Sequence, residues 1–357
     1  MSRSTQPVIP PISGRPIRFG LVGCGRIANR HIEALEAHRE VADIVAVCDI
    51  DPAALERAEA RTGAKGFSSL AQLLAGSDAD CIILATPSGL HAEQALAAAA
   101  AGRHVVTEKP MATRWHDGLQ MVEECDRAGT HLFVVKQNRL NPTVRLVKSA
   151  IEKGRFGRIY LVTMSVLWTR PQAYYDSADW RGTWEFDGGA FMNQASHYVD
   201  LVDWLIGPVE SVDAYTATLA RRIEVEDTGV AIIRWRSGTL GTMSVTMLTY
   251  PQNYEGGITI VGEKGTVRLG GVAVNEIQHW AFAEPDPDDD RVAEANYEPG
   301  SVYGLGHPLY YENVIETLQG RASAATDGRE GLRSLELLIA LYLSARDGRS
   351  VSLPLDY

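Results

Sequence analysis

The sequence predicts an α/β Rossmann domain with a parallel, doubly wound sheet over residues 17–137. An α+β domain with a large, mostly antiparallel open sheet follows over 138–357, and residues 1–16 form a flexible arm. Three observations carry this. Apolar runs of strand length alternate with helix-like segments as far as Gln137, the pattern of a parallel sheet with crossover helices. The first run ends in Gly23-Cys24-Gly25-Arg26-Ile27-Ala28, a G-x-G-x-x-A turn between strand and helix. After Asn138 strands dominate, and several alternate apolar with polar residues, as half-exposed antiparallel strands do.

Ile17 to Val22 is the first strand. In the turn that follows, Gly23 permits the tight bend, Gly25 lets backbone amides approach a pyrophosphate, and Ala28 allows close helix–strand packing. Ile44 to Cys48 is the second strand and ends at Asp49, where a carboxylate can accept both ribose hydroxyls of an adenosine. That charge repels a 2′-phosphate, so NAD is expected rather than NADP. Asp51, at the start of the next helix, can serve as its cap in place of Asp49. Helices are expected over 51–62 and 69–75. A third buried strand, Cys81 to Ala85, ends in Thr86-Pro87-Ser88, a turn that can line the nicotinamide ribose, and His91 opens the helix beyond it. The strand at Val105 to Thr107 ends in Glu108-Lys109-Pro110, which puts a lysine at the carboxyl end of a parallel strand, where open α/β sheets bind ligands. A helix over 113–128 and a strand over 131–135 close this half.

In the second half a helix is expected over 142–153. Strands follow over 159–167, 209–219, 228–235, 239–248, 257–261 and 266–269, with hairpin turns at Gly238 and 262–265. Helices on one face of this sheet and a partner subunit on the other would bury its apolar residues. Residues 283–299 are acidic and read as a surface loop, and 330–345 as a final helix. Between the first two strands, Trp168, Arg170, Tyr174, Tyr175, Trp180, Arg181 and Trp184 crowd an irregular stretch. Such aromatics suit a sugar or base and the arginines suit phosphate or carboxylate; packing between domains is the other reading. After Asp187-Gly188-Gly189, a helix over 191–205 carries Asn193 and His197 four residues apart on one face, with Asp200 a turn beyond. His197 is either a catalytic imidazole or a satisfied core histidine.

Composition narrows the function. A net charge of −11 without a basic block argues against a nucleic-acid surface. No apolar run is long enough to span a bilayer. Cys24, Cys48, Cys81 and Cys125 are scattered, with no C-x-x-C pair, as reduced thiols of a cytoplasmic protein would be. Neither His197 nor His307 belongs to a ligand-spaced cluster, so no metal is expected. Arg155, Arg158, Arg170 and Arg181 are the candidate clamps for an anionic substrate.

The segments GCGRIA, CDIDP, ATPSGLHAEQ, VVTEKP and DGGAFMNQASHYVDLVDW together resemble the Gfo/Idh/MocA family of sugar and inositol dehydrogenases, over nearly the whole chain. With WRGTWEF, EVEDTG and ITIVGEKGTVRLGGVAVNEIQHW, the likeness extends to one subgroup, the UDP-N-acetylglucosaminuronate 3-dehydrogenases of lipopolysaccharide and O-antigen sugar biosynthesis. The resemblance implies NAD as cofactor, a homotetramer built as a dimer of dimers, and Lys109 and His197 facing the reacting carbon. It extends the expected cofactor contacts beyond Gly23, Cys24, Gly25, Arg26, Ile27, Asp49, Thr86, Pro87, Ser88 and His91 to Glu108, Lys109, Gln137, Trp180 and Arg181. Lys109, Arg155, Arg158, Arg170, Tyr174, Asn193 and His197 would bind the substrate, UDP-N-acetylglucosaminuronic acid. Some relatives are thought to reoxidise bound NADH with 2-oxoglutarate.

One departure matters. Many family members carry Asp where this chain has Asn193, which cannot hold charge. Either Lys109 takes the hydroxyl proton, or Asp200 supports His197 as base; the sequence leaves both open. A dehydrogenase of a free sugar or cyclitol, and a cofactor-binding sensor without turnover, are the competing functions.

Overall fold

The computed structural model describes residues 9–299 and 302–355. The first half of the expected arm, residues 1–8, lies outside the described residues. The chain divides into two compact units: residues to Val135 with His307–Leu332, and Lys136–Gly306 with Arg333 onward. Residues His307–Leu332 thus group with the first unit although they follow the expected boundary at 137.

The first unit is built on β1 (Ile17–Val22), α1 (Ala28–Glu36), β2 (Ala42–Cys48), α2 (Pro52–Thr62), β3 (Lys65–Phe67), α3 (Leu70–Gly76), β4 (Cys81–Leu84), α4 (His91–Ala100), β5 (His104–Thr107), α5 (Trp115–Ala128) and β6 (Leu132–Val134). The strands form one sheet in the order β3-β2-β1-β4-β5-β6, all parallel. Order reverses beside β1, so a crevice opens at the carboxyl ends of β1 and β4, the usual ligand site of such sheets. Phe19, Leu21, Ile82, Ile83, Val105, Val106 and Phe133 are fully buried. Strands covered on both faces have to be continuously apolar, which is why these runs were legible. Asp51 caps α2 by accepting from the Ala53 amide, with Pro52 in its first turn and Gly63 at φ +70° closing it.

The second unit opens with α6 (Pro142–Glu152) and β7 (Ile159–Leu167), then α7 (Gln172–Tyr175) and α8 (Ser196–Ile206). Next come β8 (Val209–Ala217), β9 (Thr228–Trp235), β10 (Leu240–Thr246), β11 (Glu255–Gly262), β12 (Gly265–Gly270), β13 (Glu276–Phe282) and the short α9 (Val292–Ala295). Its sheet runs β13-β12-β11-β7-β10-β9-β8-β14, where β14 is Val351–Ser352. Only β7 and β10 pair in parallel. Alternation is strict on β9, where Ala231, Ile233 and Trp235 are buried and Val230 and Ile232 are exposed. Tyr215 and Leu240 extend the same exposed apolar face. The last helices are α10 (His307–Leu318), which belongs to the first unit, and α11 (Gly328–Asp347).

Two sequence expectations change. The 283–299 stretch is not a bare loop: a 3₁₀ turn at Pro287–Arg291 and α9 fold there. Asp288 and Asp289 are held by Ser149, Lys153 and Arg155, which explains the acidity as a lattice of ion pairs. The helix expected over 191–205 is broken. Ala190–Gln194 forms a π-helical turn, and α8 starts only at Ser196.

Candidate active site

In the first unit, Gly23 has φ +92°, and a Cβ there would lie 2.6 Å from the Ala85 carbonyl oxygen. Only glycine fits where β1 passes beneath the β4 turn. A Cβ on Gly25 would meet nothing within 4 Å, so that side of the turn is an open cradle. No side chain caps α1 at Ile27, which leaves its first-turn amides, beyond Arg26, for an anion. Asp49 is fixed at the rim. It accepts from the Cys24 amide at 2.6 Å and from the Asp51 amide at 2.8 Å. Ile50 beside it is 91% exposed, a flat apolar step next to the carboxylate. Burial, with Asp49 adding to it, pushes the Cys24 thiol up to about 12, so it stays protonated. These residues fit a dinucleotide: amides for the pyrophosphate and a fixed acceptor for ribose hydroxyls.

The Thr86-Pro87-Ser88 turn and the lysine turn are tied together by His91. Its Nδ1 lies 3.0 Å from the Pro110 carbonyl oxygen and its Nε2 3.0 Å from that of Thr86. Burial holds this imidazole below its usual range. Both carbonyls are acceptors and a neutral ring has one N–H, so His91 donates to one of these two ligand-bearing turns and packs against the other. Thr86 is steadied by a 2.6 Å contact to Gln94. Glu108 is buried, accepts from the Lys109 amide at 3.0 Å, and stands 3.1 Å from His31 Nε2.

In the second unit, the π-turn offsets Asn193 from the four-residue spacing expected of a single helix. Its amide donates to the buried Asp187 carboxylate, which also accepts from the Gly182 amide at 2.7 Å. An acid thus stands behind Asn193 although none occupies position 193. His197 is buried, with Nε2 3.0 Å from Gln137 Nε2. Asp200 is engaged by Lys136 and Arg139. Burial alone would raise the Asp200 carboxyl, but Lys136 and Arg139 outweigh this and hold it far below the usual range.

In the aromatic stretch, Trp184 lies edge-on to Tyr342, and the other rings gather on two arginines. The Arg181 guanidinium lies between Tyr174 and Trp180, 4.4 and 4.3 Å from the ring centroids, and donates to the Tyr174 hydroxyl at 2.7 Å. Arg170 sits over Trp168 and Tyr174. Gln194, next to Asn193, reaches the same hydroxyl. Arg155 is drawn elsewhere: it pairs with Asp289 at 2.7 Å and stacks on Phe282. Arg158 lies over exposed Tyr160 at the start of β7. Neither is held with the Arg170–Arg181 group.

Sequence reasoning passed over Glu226. Its carboxylate accepts from the Phe191 amide at 2.9 Å and from the Tyr342 hydroxyl at 2.8 Å, and a Cβ on Gly189 would overlap it. Tyr342 also accepts from the Met192 amide at 3.1 Å. These two side chains shape the π-turn that carries Asn193. The glycine pair at 188–189 was the one signal that something must approach the backbone closely there. Among the described residues, no helix is long and apolar enough to cross a membrane.

Comparison with known proteins matches residues 17–136 to the oxidoreductase family's NAD-binding Rossmann fold and residues 148–353 to the Gfo/Idh/MocA C-terminal alpha/beta domain. The solved WlbA dehydrogenase of Chromobacterium violaceum, in complex with NADH and UDP-GlcNAcA, is 68% identical with a TM-score of 0.94, covering 98% of this chain and 100% of that one. The Bordetella pertussis WlbA dehydrogenase, with the same two ligands, is also 68% identical at a TM-score of 0.94, covering 97% and 100%. D-apiose dehydrogenase of Paraburkholderia graminis is 27% identical over 93% of this chain and 88% of its own length.

Proposed function

The chain belongs to the Gfo/Idh/MocA family of oxidoreductases, with an NAD-binding Rossmann domain, and from that premise we propose that it oxidises the 3-hydroxyl of UDP-N-acetylglucosaminuronic acid to the 3-oxo sugar. The observation that carries the substrate is 68% identity, across 98% of this chain, to a dehydrogenase solved with that nucleotide sugar and NADH. The Arg170, Tyr174, Trp180 and Arg181 cluster supports it, since stacked guanidiniums beside aromatic rings suit an anionic nucleotide sugar. Lipopolysaccharide sugar biosynthesis in the cytoplasm is the proposed setting.

NAD, when bound, supplies the hydride acceptor. The chain supplies the rest. The open side of Gly25 and the start of α1 hold the pyrophosphate, and Asp49 holds the adenosine ribose. His197 accepts the hydroxyl proton, and the Lys109 ammonium polarises the forming alkoxide. Asn193, turned by Asp187, orients the hydroxyl. Lys109, His197 and Asn193 keep the catalytic roles. Gln137, Glu108 and His91 are better supported as residues that hold these groups than as direct cofactor contacts. Arg155 is better supported as a structural residue than as a clamp.

We also propose a homotetramer in which the exposed sheet face of Tyr215, Val230, Ile232 and Leu240 is covered by a second copy. Light scattering of wild type and Ile232→Lys tests it.

The test of function is purified protein with NAD and UDP-N-acetylglucosaminuronic acid deuterated at C3. Deuterium appearing in NADH with a 3-oxo product is the expected result. No NADH from this substrate, but NADH from inositol or a free sugar, would overturn the reading. Adding 2-oxoglutarate to NADH-loaded protein tests recycling in place.

A further inference from the structure

Two arginines share one ring in the second unit: Arg170 and Arg181 lie 5.6 and 4.4 Å from the Tyr174 centroid. Like charges so placed repel, and the face of an aromatic ring offsets only part of that. Arg181 Nε is buried without an acceptor.

A third arginine joins them from the 219–222 stretch. Arg221 Nε donates to the Arg170 carbonyl oxygen at 2.6 Å. Its backbone is fixed from two sides. Asp227, fully buried, accepts from the Leu219, Ala220 and Arg221 amides, each at 2.9 Å. Gln172 Oε1 accepts from the next amide, that of Arg222, at 2.8 Å. Asp227 is thus engaged by backbone donors and shapes the loop instead of pairing with the arginine. With Nε committed, the plane of the Arg221 guanidinium is set. Its two terminal nitrogens have no acceptor among the described residues. They form a fork of the kind that meets phosphate oxygens in pairs.

The chain carries a net charge of −11, and Arg15, Arg155, Arg268 and Arg329 each pair with an acid. Among the described residues, Arg181 and Arg221 pair with none. Arginines gathered without carboxylates in an acidic protein make a local site for an anion. The contacts also have an order. Gln194, next to Asn193, reaches the Tyr174 hydroxyl, to which Arg181 donates. Arg170 lies over the same ring, and Arg221 follows on the Arg170 carbonyl. In this series Arg221 stands at the end away from Asn193, which orients the reacting hydroxyl.

We propose that Arg221 is a substrate-binding residue, the third cation of a diphosphate subsite shared with Arg170 and Arg181. The choice of anion rests on the function proposed above, in which the diphosphate is the group attached to the sugar ring.

UDP alone is the probe, because its binding needs no turnover. Arg221→Gln keeps a polar head but removes the charge and the fork. In R221Q the Kd for UDP by calorimetry, and KM for UDP-N-acetylglucosaminuronic acid, should each rise about tenfold or more. The loss should fall on KM and not on kcat, since the diphosphate is held alike in ground and transition states. Arg221→Lys restores the charge without the fork, and its Kd should rise about threefold. Arg222→Gln removes a neighbouring exposed charge and should change the Kd by less than about twofold. A wild-type Kd for UDP in R221Q overturns the proposal. So do equal losses in R221Q and R222Q, which would mean a diffuse field, and a loss confined to kcat or to KM for NAD. Should R221Q fail to fold, a wild-type Kd in R221K overturns the fork. If the unaltered protein binds UDP but forms no NADH from the nucleotide sugar, the substrate reading falls and the Kd series still decides the subsite. If it does not bind UDP, the subsite is overturned.

Discussion

His31 Nε2 lies 3.1 Å from Glu108 Oε1, and Nδ1 of the same ring lies 2.7 Å from the Tyr311 hydroxyl. The Tyr311 hydroxyl meets Nδ1, Nε2 faces the Glu108 carboxylate, and the Lys109 amide donates to the other carboxylate oxygen at 3.0 Å. His31 sits on α1, the helix that opens at the dinucleotide turn. The cofactor helix is thus bolted to the turn that carries the lysine.

Removing the bolt should loosen both. Burial pushes the Glu108 carboxyl up, but His31 and Lys109 outweigh it and bring it down to about 2 from 4.5. His31→Leu leaves that carboxylate buried without the imidazole that faces it, at a cost of about 3 kcal/mol. A drop of several degrees in Tm, with a roughly tenfold loss in kcat, is the expected outcome, and His31→Gln should recover part of each. A carboxyl depressed in the fold stabilises above its unfolded value and loses that contribution as pH falls. In wild type the stability supplied by Glu108 is therefore present above about 4.5 and vanishes as pH approaches about 2.

The two glycines of the dinucleotide turn should behave differently. Gly23→Ala puts a Cβ 2.6 Å from the Ala85 carbonyl oxygen at φ +92°, and soluble folded protein should be scarce. Gly25→Ala meets nothing within 4 Å. Its ligand-free Tm should stay near wild type while NADH affinity falls tenfold or more, by about 1.4 kcal/mol at least. Calorimetry with and without NADH reads both. An equal loss of ligand-free stability in the two variants would contradict the open cradle.

Much of this was legible in the chain. Gly23, Asp49 and the strand ending at Lys109 were found because a parallel sheet covered on both faces needs unbroken apolar strands, and its ligand turns must follow them. The strand β13 was not, because at the sheet edge Glu276, Gln278 and His279 are exposed and blur the alternation. The π-turn at Ala190–Gln194 leaves no mark in a 3.6-residue period; only packing of Phe191 and Met192 amides onto Glu226 and Tyr342 produces it. Asp187 carried no role in the sequence beyond standing before two glycines. Its role behind Asn193 depends on a fold that returns the π-turn to it.

Asp200→Asn tests the buried triad beneath His197. The substitution keeps the shape but leaves Lys136 and Arg139 buried against a neutral amide. Losing one partner of a buried ion cluster costs about 3–5 kcal/mol. Denaturant midpoints should fall accordingly. Since the triad also seats Gln137, kcat should drop further than the unfolded fraction explains. An unchanged midpoint would mean that the two cations reach other acceptors.

Glu226 gives the pH dependence with the opposite sign. Burial raises its carboxyl from 4.5 to about 7, against the donors from Phe191 and Tyr342 and with help from neighbouring Asp227. Between those two values the folded chain holds the proton while the unfolded chain releases it. The stability supplied by Glu226 therefore falls as pH rises from about 4.5 to about 7, then levels, and its full loss is about 3 kcal/mol. Glu226→Gln carries no titrating group at that position, so its denaturant midpoint should gain on wild type across that window and exceed it at pH above about 7. Oε1 has two donors, and the amide nitrogen can take the place of Oε2. Parallel curves for the two proteins would mean that Glu226 is ionised throughout. The π-turn bearing Asn193 would then be held by a charge, and its geometry would be indifferent to pH across the range in which the enzyme works.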